Sequence, residues 1–142
     1  MATLTTHVHA DRRATSLLRA AIVALTLTTA AIHASLGSVL FLANALGYAA
    51  LAAAMIMPGP FARLRWLVRL ALAAFTAGAI GAWLVFGARF PLAYLDKGLE
   101  VGLIVLLAVE LWQIDGGPAG VLDSARDLLT ATRRRLAGTD AR

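Results

Sequence analysis

The 142-residue chain has no cysteine, which excludes disulfides, thiolate metal sites and thiol nucleophiles. Charge is scarce: Asp, Glu, Lys and Arg make up 15% of the residues, against about 25% in a soluble globular chain. That is too little to cover a water-facing surface. Disorder, a nucleic-acid-binding domain and an ordinary cytosolic enzyme all fit poorly, and no nucleic-acid partner is expected. No Ser–His–Asp arrangement, phosphate loop or H-E-x-x-H is present. What the chain has in excess is apolar surface, with 60% hydrophobic residues and a mean hydropathy of +0.77.

The apolar residues run in blocks. From Ala20 to Ala62 there is no Asp, Glu, Lys or Arg. One membrane span takes about 20 apolar residues, so this stretch predicts two spans, at about 17–35 and 38–57. Ser35-Leu36-Gly37-Ser38 supplies the turn between them, and Pro58-Gly59-Pro60 ends the second. The uncharged run Leu70–Ala88 predicts a third span at about 65–87, which Pro91 separates from a fourth at about 93–114. That fourth segment is marginal. Roughly ten apolar residues give about −4 to −5 kcal/mol, and two acidic groups in hydrocarbon cancel nearly all of it. It needs sister helices to shelter its carboxyls.

Charge asymmetry supports four crossings. Eleven basic residues flank the ends that include Arg12, Arg13, Arg19, Arg63, Arg65, Arg69 and the Arg133-Arg134-Arg135 cluster. Only Arg89 and Lys97 fall on the other side. The positive-inside rule then places both termini in the cytoplasm of an inner (plasma) membrane. A cleaved signal peptide is the rival reading of the first segment, but hydrophobicity continues past the turn. The expectation is one all-α membrane domain over residues 1–142, a four-helix transmembrane bundle. A tail at about 118–137 follows, with Val121, Leu122, Ala125, Leu128, Leu129 and Leu136 on one stripe and Gly138 as a stop. It reads as an amphipathic helix on the inner membrane face, or as a soluble cap on the bundle.

Ionisable residues inside a span are costly, which makes them candidates for function. With about 100° per residue and Asp96 at zero, Glu100 lies at about 40°, Lys97 at about 100° and Glu110 at about −40°. One side of the fourth helix is polar and should face the bundle. Gly98 and Gly102, at about 200° and 240°, form a G-x-x-x-G on the other side, suited to packing against a neighbouring helix or a second copy. By depth, His33, Asn44, Tyr48, Trp83, Asp96 and Glu100 all fall in the outer half, about 3–15 Å from the outer boundary. Asn44 and Tyr48 are i,i+4 partners.

Plainer readings stand beside these. Trp83, Tyr94 and His33 suit a bilayer boundary. Asp96 and Lys97 could sit in an aqueous loop before a later-starting helix. Asn44 could be interhelical hydrogen-bond glue, and Glu110 could reach the inner interface beside Trp112. Three chemistries suit the outer cluster. Burial disfavours a charged carboxyl and a nearby cation restores it, so Asp96, Lys97, Glu100 and His33 could relay protons. The group could also cradle a cationic or zwitterionic solute, or His33, Asp96 and Glu100 could ligate a divalent metal. A b-type haem is disfavoured, since His7 and His9 lie in the cytoplasmic arm and only His33 lies in a span. No cofactor is implied.

The pattern His33-x3-Gly37-x3-Phe41-x2-Asn44-x2-Gly47-Tyr48, followed by Tyr94-x-Asp96-Lys97-x2-Glu100, resembles that of small four-helix bacterial integral membrane proteins. The resemblance spans roughly 35 residues. It implies four spans and the same polar residues, and it brings no activity or substrate. The excess of arginine over lysine and the many alanines point to a GC-rich bacterial genome. The favoured function is binding or passage of a small polar or cationic solute, or a proton. Glu100 would be the central acid, Asp96 and Lys97 its partners, and His33, Asn44 and Tyr48 the wall. The alternatives are an accessory subunit, as a homo-oligomer or within a larger membrane complex, and a lipid-directed enzyme.

Overall fold

In the computed structural model residues 2–59 and 64–139 are described, with side chains given for 13–59, 64–114 and 116–131. His7, His9, Arg12, Pro60, Arg63, Arg133, Arg134, Arg135, Leu136 and Arg142 therefore lie outside the described side chains. The chain is all-helical: α1 Ala2–Ser35, α2 Val39–Ile56, α3 Arg65–Phe86, α4 Pro91–Asp115 and α5 Gly117–Thr139.

Local chemistry accounts for the boundaries. At the first reversal Gly37 takes φ 72°, a left-handed angle that L side chains resist. Ser38 then caps α2, its hydroxyl accepting from the Phe41 amide at 3.3 Å. Pro91 opens α4 in its first turn, where the missing amide costs no hydrogen bond. The α4 helix thus begins two residues earlier than its apolar run suggests. Gly116, at φ 71°, ends it.

Two helices run past the bounds read from the sequence. The span expected at about 17–35 lies within a longer helix that begins at Ala2, because the polar arm contains no Pro or Gly to stop it. At the far end α5 continues to Thr139, past Gly138.

α1 packs against α2 and α4, and α3 packs against α4 and α2. Connections of three residues between α1 and α2, and four between α3 and α4, force those pairs to run in opposite directions. The C-terminal ends of α1 and α3 therefore share one end of the assembly with the N-terminal ends of α2 and α4. We call it the Gly37 end, and the opposite one the Arg69 end.

The interior is inverted relative to a soluble protein. Ten apolar side chains are buried, but so are Thr26, Thr29, His33, Arg69, Thr76, Asp96, Lys97, Glu100 and Glu110. Meanwhile Val39, Leu40, Leu46, Val85 and Phe86 are at least 70% exposed. Three helical stretches, Arg13–Ser35, Val39–Ile56 and Arg65–Phe86, are long and apolar enough to cross a membrane, yet only 17–28% of each apolar window is buried inside the protein. Charged groups within and leucines without are what a hydrocarbon solvent selects. α4 falls short of the same apolarity because of its acidic and basic residues; those residues are the ones turned inward.

Candidate functional site

The site is built on α4, whose Asp96, Lys97 and Glu100 all point into the assembly. Neither Asp96 nor Lys97 is in a loop: both lie within a helix that starts at Pro91, and both are at most 9% exposed. The Lys97 ammonium bridges the two carboxylates, donating to Glu100 Oε2 at 2.6 Å and lying 3.1 Å from Asp96 Oδ2. Glu100 is fully buried, and its other oxygen accepts from the Tyr48 hydroxyl at 2.8 Å. Four lone-pair directions on a buried carboxylate need donors, and α2 and α4 supply two strong ones.

His33, near the end of α1, completes the group. Its Nδ1 lies 3.0 Å from the Thr29 carbonyl oxygen. A carbonyl only accepts, which assigns a proton to Nδ1; Nε2 lies 4.0 Å from Glu100 Oε1. The ring is fixed by aromatic neighbours: Phe41 at 5.9 Å and Tyr48 at 5.5 Å between centroids. Tyr48 in turn meets Phe75 of α3 edge-on at 4.9 Å. All four helices therefore contribute, and His33, Tyr48, Asp96, Lys97 and Glu100 come together as one cluster.

Above it, at the Gly37 end, lies a cavity of about 430 Å³, within the size range of small-molecule sites, about 300–1,000 Å³. Its floor holds His33, Asn44, Asp96 and Lys97; its walls are apolar and include Leu40, Phe41, Trp83 and Phe90. Asn44 lines this space and makes no hydrogen bond among the described residues, so it is not interhelical glue. Asp96 Oδ1 is buried and has no hydrogen-bond partner among the described residues. Glu100 and Tyr48 lie beneath the floor and do not line the cavity.

At the mouth, Trp83 is held by its indole N–H on the Ala88 carbonyl (3.1 Å), by the Arg89 guanidinium 4.0 Å over its ring, and by Tyr94 edge-on at 5.3 Å. The last three form an exposed aromatic–cation rim.

One nitrogen of His33 and one oxygen each of Asp96 and Glu100 lie within 4.8 Å of one another, which is a donor set suited to a divalent metal. The arrangement fits poorly all the same. Lys97 already holds the position between the two carboxylates, and an ammonium there repels a second cation.

The G-x-x-x-G face needs correction. A Cβ on Gly98 would meet nothing within 4 Å, and one on Gly102 would make only an ordinary contact with Leu25. Gly98 is exposed, and no helix of this chain closes on it.

Glu110 follows the polar arc of α4 and not the interfacial alternative. It does not reach the interface beside Trp112, which is 70% exposed. Instead it turns inward, fully buried, between Arg19 of α1 at 3.3 Å and Arg69 of α3 at 3.2 Å. Arg69 is itself only 3% exposed. Both arginines had counted only towards the charge asymmetry of the ends. The signal that could have found them is depth: Arg19 and Arg69 stand at the start of the uncharged runs of α1 and α3, at the level of a glutamate that requires a cation.

Between the two polar groups lie the apolar side chains of Ile22, Met55, Leu72, Leu103 and Leu107. Along α4 the separation from Glu100 to Glu110 is ten residues, or about 15 Å. Thr26 and Thr76, in the same layer, donate their hydroxyls to the Ile22 and Leu72 carbonyls of their own helices.

No family model, curated protein or solved structure matches the chain.

Proposed function

We propose that the chain is a four-span inner-membrane protein whose outward-facing cavity binds a small solute that is cationic or donates hydrogen bonds. The observation that carries this reading is Asp96 Oδ1, a buried acceptor without a partner, on the floor of a cavity whose walls are apolar. An unpaired acceptor in such surroundings costs free energy until a donor arrives, so the site is poised for a ligand that brings one. Glu100 acts from below: it anchors Lys97, and with Tyr48 it holds the charged floor in place.

Four crossings follow from the inward turn of α4, whose carboxylates are sheltered as its marginal apolarity requires. The distribution of arginine then sets both termini in the cytoplasm, with the cavity opening outward. α5 lies along the inner membrane face, since its Leu122 and Leu129 are exposed on the protein.

Binding is favoured over free passage. A mostly apolar layer, in which the Thr26 and Thr76 hydroxyls are turned onto carbonyls of their own helices, separates the cluster from the Glu110–arginine clamp. Movement of a solute or proton to the other side requires that layer to open.

The test is Glu100→Gln and Asp96→Asn in purified protein, with small amines, alcohols and zwitterions screened for thermal stabilisation. Solutes that stabilise the parent chain should lose their effect in Asp96→Asn and weaken in Glu100→Gln, while both variants still insert and purify as monodisperse protein. Undiminished stabilisation in both would make the carboxylates purely structural.

A further inference from the structure

The reading above leaves the ligand's class open; charge, shape and lining narrow it. Counting histidine as neutral, the buried cluster of Asp96, Lys97 and Glu100 holds two carboxylates and one ammonium, a formal charge of −1. That surplus is buried: Asp96 and Glu100 are 4% and 0% exposed. An uncompensated charge in a low-dielectric interior is strongly disfavoured, and it calls for one further positive charge, not two.

Position matters as much as sign. Lys97 neutralises the Glu100 side, at 2.6 Å, and the inner oxygen of Asp96, at 3.1 Å. The oxygen left over, Asp96 Oδ1, belongs to a residue that lines the cavity. A divalent metal at His33, Asp96 and Glu100 would overshoot the charge by one beside Lys97, or would have to expel the Lys97 ammonium from both carboxylates. A bare monovalent inorganic ion would leave the apolar walls of a 430 Å³ space unused. Phe41, Trp83 and Phe90 in those walls offer ring faces and edges to an apolar body, and ring faces also attract cations.

We propose that the cavity takes an organic monocation, a primary ammonium group on an apolar body. Its N–H groups donate to Asp96 Oδ1, and its body packs against the aromatic and aliphatic walls. This rests on the reading of the cavity as a ligand site, and it commits that site to one chemical class. Asp96 is the ion-pairing residue; Lys97, anchored by Glu100, is the positioning residue that occupies its second oxygen and leaves the first without a donor.

The experiment uses the full chain in an uncharged maltoside detergent, with binding read by thermal shift and calorimetry. The probes are 2-phenylethylammonium, its neutral counterpart 2-phenylethanol, and Mn²⁺ and Zn²⁺. The ammonium should stabilise the protein and the alcohol should bind at least about tenfold more weakly, the least that a hydrogen bond to a charged partner contributes. Asp96→Asn should weaken the ammonium by about 10- to 150-fold and leave the alcohol nearly unchanged. Ala82→Phe, which fills the cavity wall without altering charge, should remove both.

Equal binding of amine and alcohol, unaltered in Asp96→Asn but lost in Ala82→Phe, would overturn the cation assignment while keeping the cavity as a ligand site. Stabilisation by the metals that Asp96→Asn abolishes would overturn it in favour of an ion site. Amine binding unaffected by Ala82→Phe would overturn both the assignment and the cavity reading.

Discussion

Glu110 offers the sharpest test of how this assembly is held together. Its carboxylate is fully buried and meets Arg19 and Arg69 at 3.3 and 3.2 Å. The two arginines are not equivalent. The Arg19 side chain is 26% exposed and Arg69 is 4% exposed, so Arg19 can turn its guanidinium to water or headgroups while Arg69 cannot. Glu110→Leu therefore takes the buried carboxylate away from a buried cation. Removing one partner of a buried pair costs about 3–5 kcal/mol, and at about 2–4 °C per kcal/mol for a chain of this size the melting temperature should fall by about 6–20 °C.

Arg19→Ala, by contrast, removes a partly solvated partner and should cost about 1 kcal/mol or less. The double variant Glu110→Leu/Arg69→Leu removes both buried charges and should recover most of the loss, since apolar replacement of a whole buried pair is often neutral or better. The assay is thermal unfolding of the detergent-purified protein, followed by tryptophan fluorescence. Two results would refute the reasoning: a single Glu110→Leu variant melting within about 2 °C of the parent, or a double variant no more stable than the single.

Three further outcomes follow from the same geometry. Tyr48→Phe deletes the 2.8 Å donor to Glu100 while keeping the ring on Phe75; it should destabilise by about 1.5–3 kcal/mol, read as a lowered melting temperature, and an unchanged value would mean the bond contributes nothing. Leu122→Asp with Leu129→Asp should detach α5 from vesicles in a protease-accessibility assay without shifting the melting of α1–α4, because those leucines are exposed on the protein; continued protection would place them in a protein contact. Reporter fusions after Thr139 should score cytoplasmic, and a periplasmic signal would remove the four-span topology.

Much of the local structure was legible in the residues. Gly37 marked the first reversal because a left-handed backbone angle is cheap only for glycine, and α2, α3 and α4 end within two residues of where prolines, glycines and arginines bound the apolar runs. The polar arc of α4 was legible as well, since a period of 3.6 residues places Asp96, Lys97, Glu100 and Glu110 on one side, and all four are buried. The N-terminal extension of α1 was not: hydropathy reports where a chain enters hydrocarbon, whereas a helix stops only where its backbone is interrupted.

The sequence by itself determined an all-helical chain with stretches suited to lipid and with its charges gathered on the inner side of α4, because those properties depend on periodicity along a single segment. Tertiary structure alone decided what each charge meets. It set Lys97 between two carboxylates, gave Glu100 a hydroxyl from α2, paired Glu110 with Arg69 of α3, and left Gly98 uncovered. Periodicity gives a residue's angle about its own helix axis. Which neighbour stands at that angle, and whether a long arginine or a ring reaches across to it, depends on how separate helices rotate and slide as they pack.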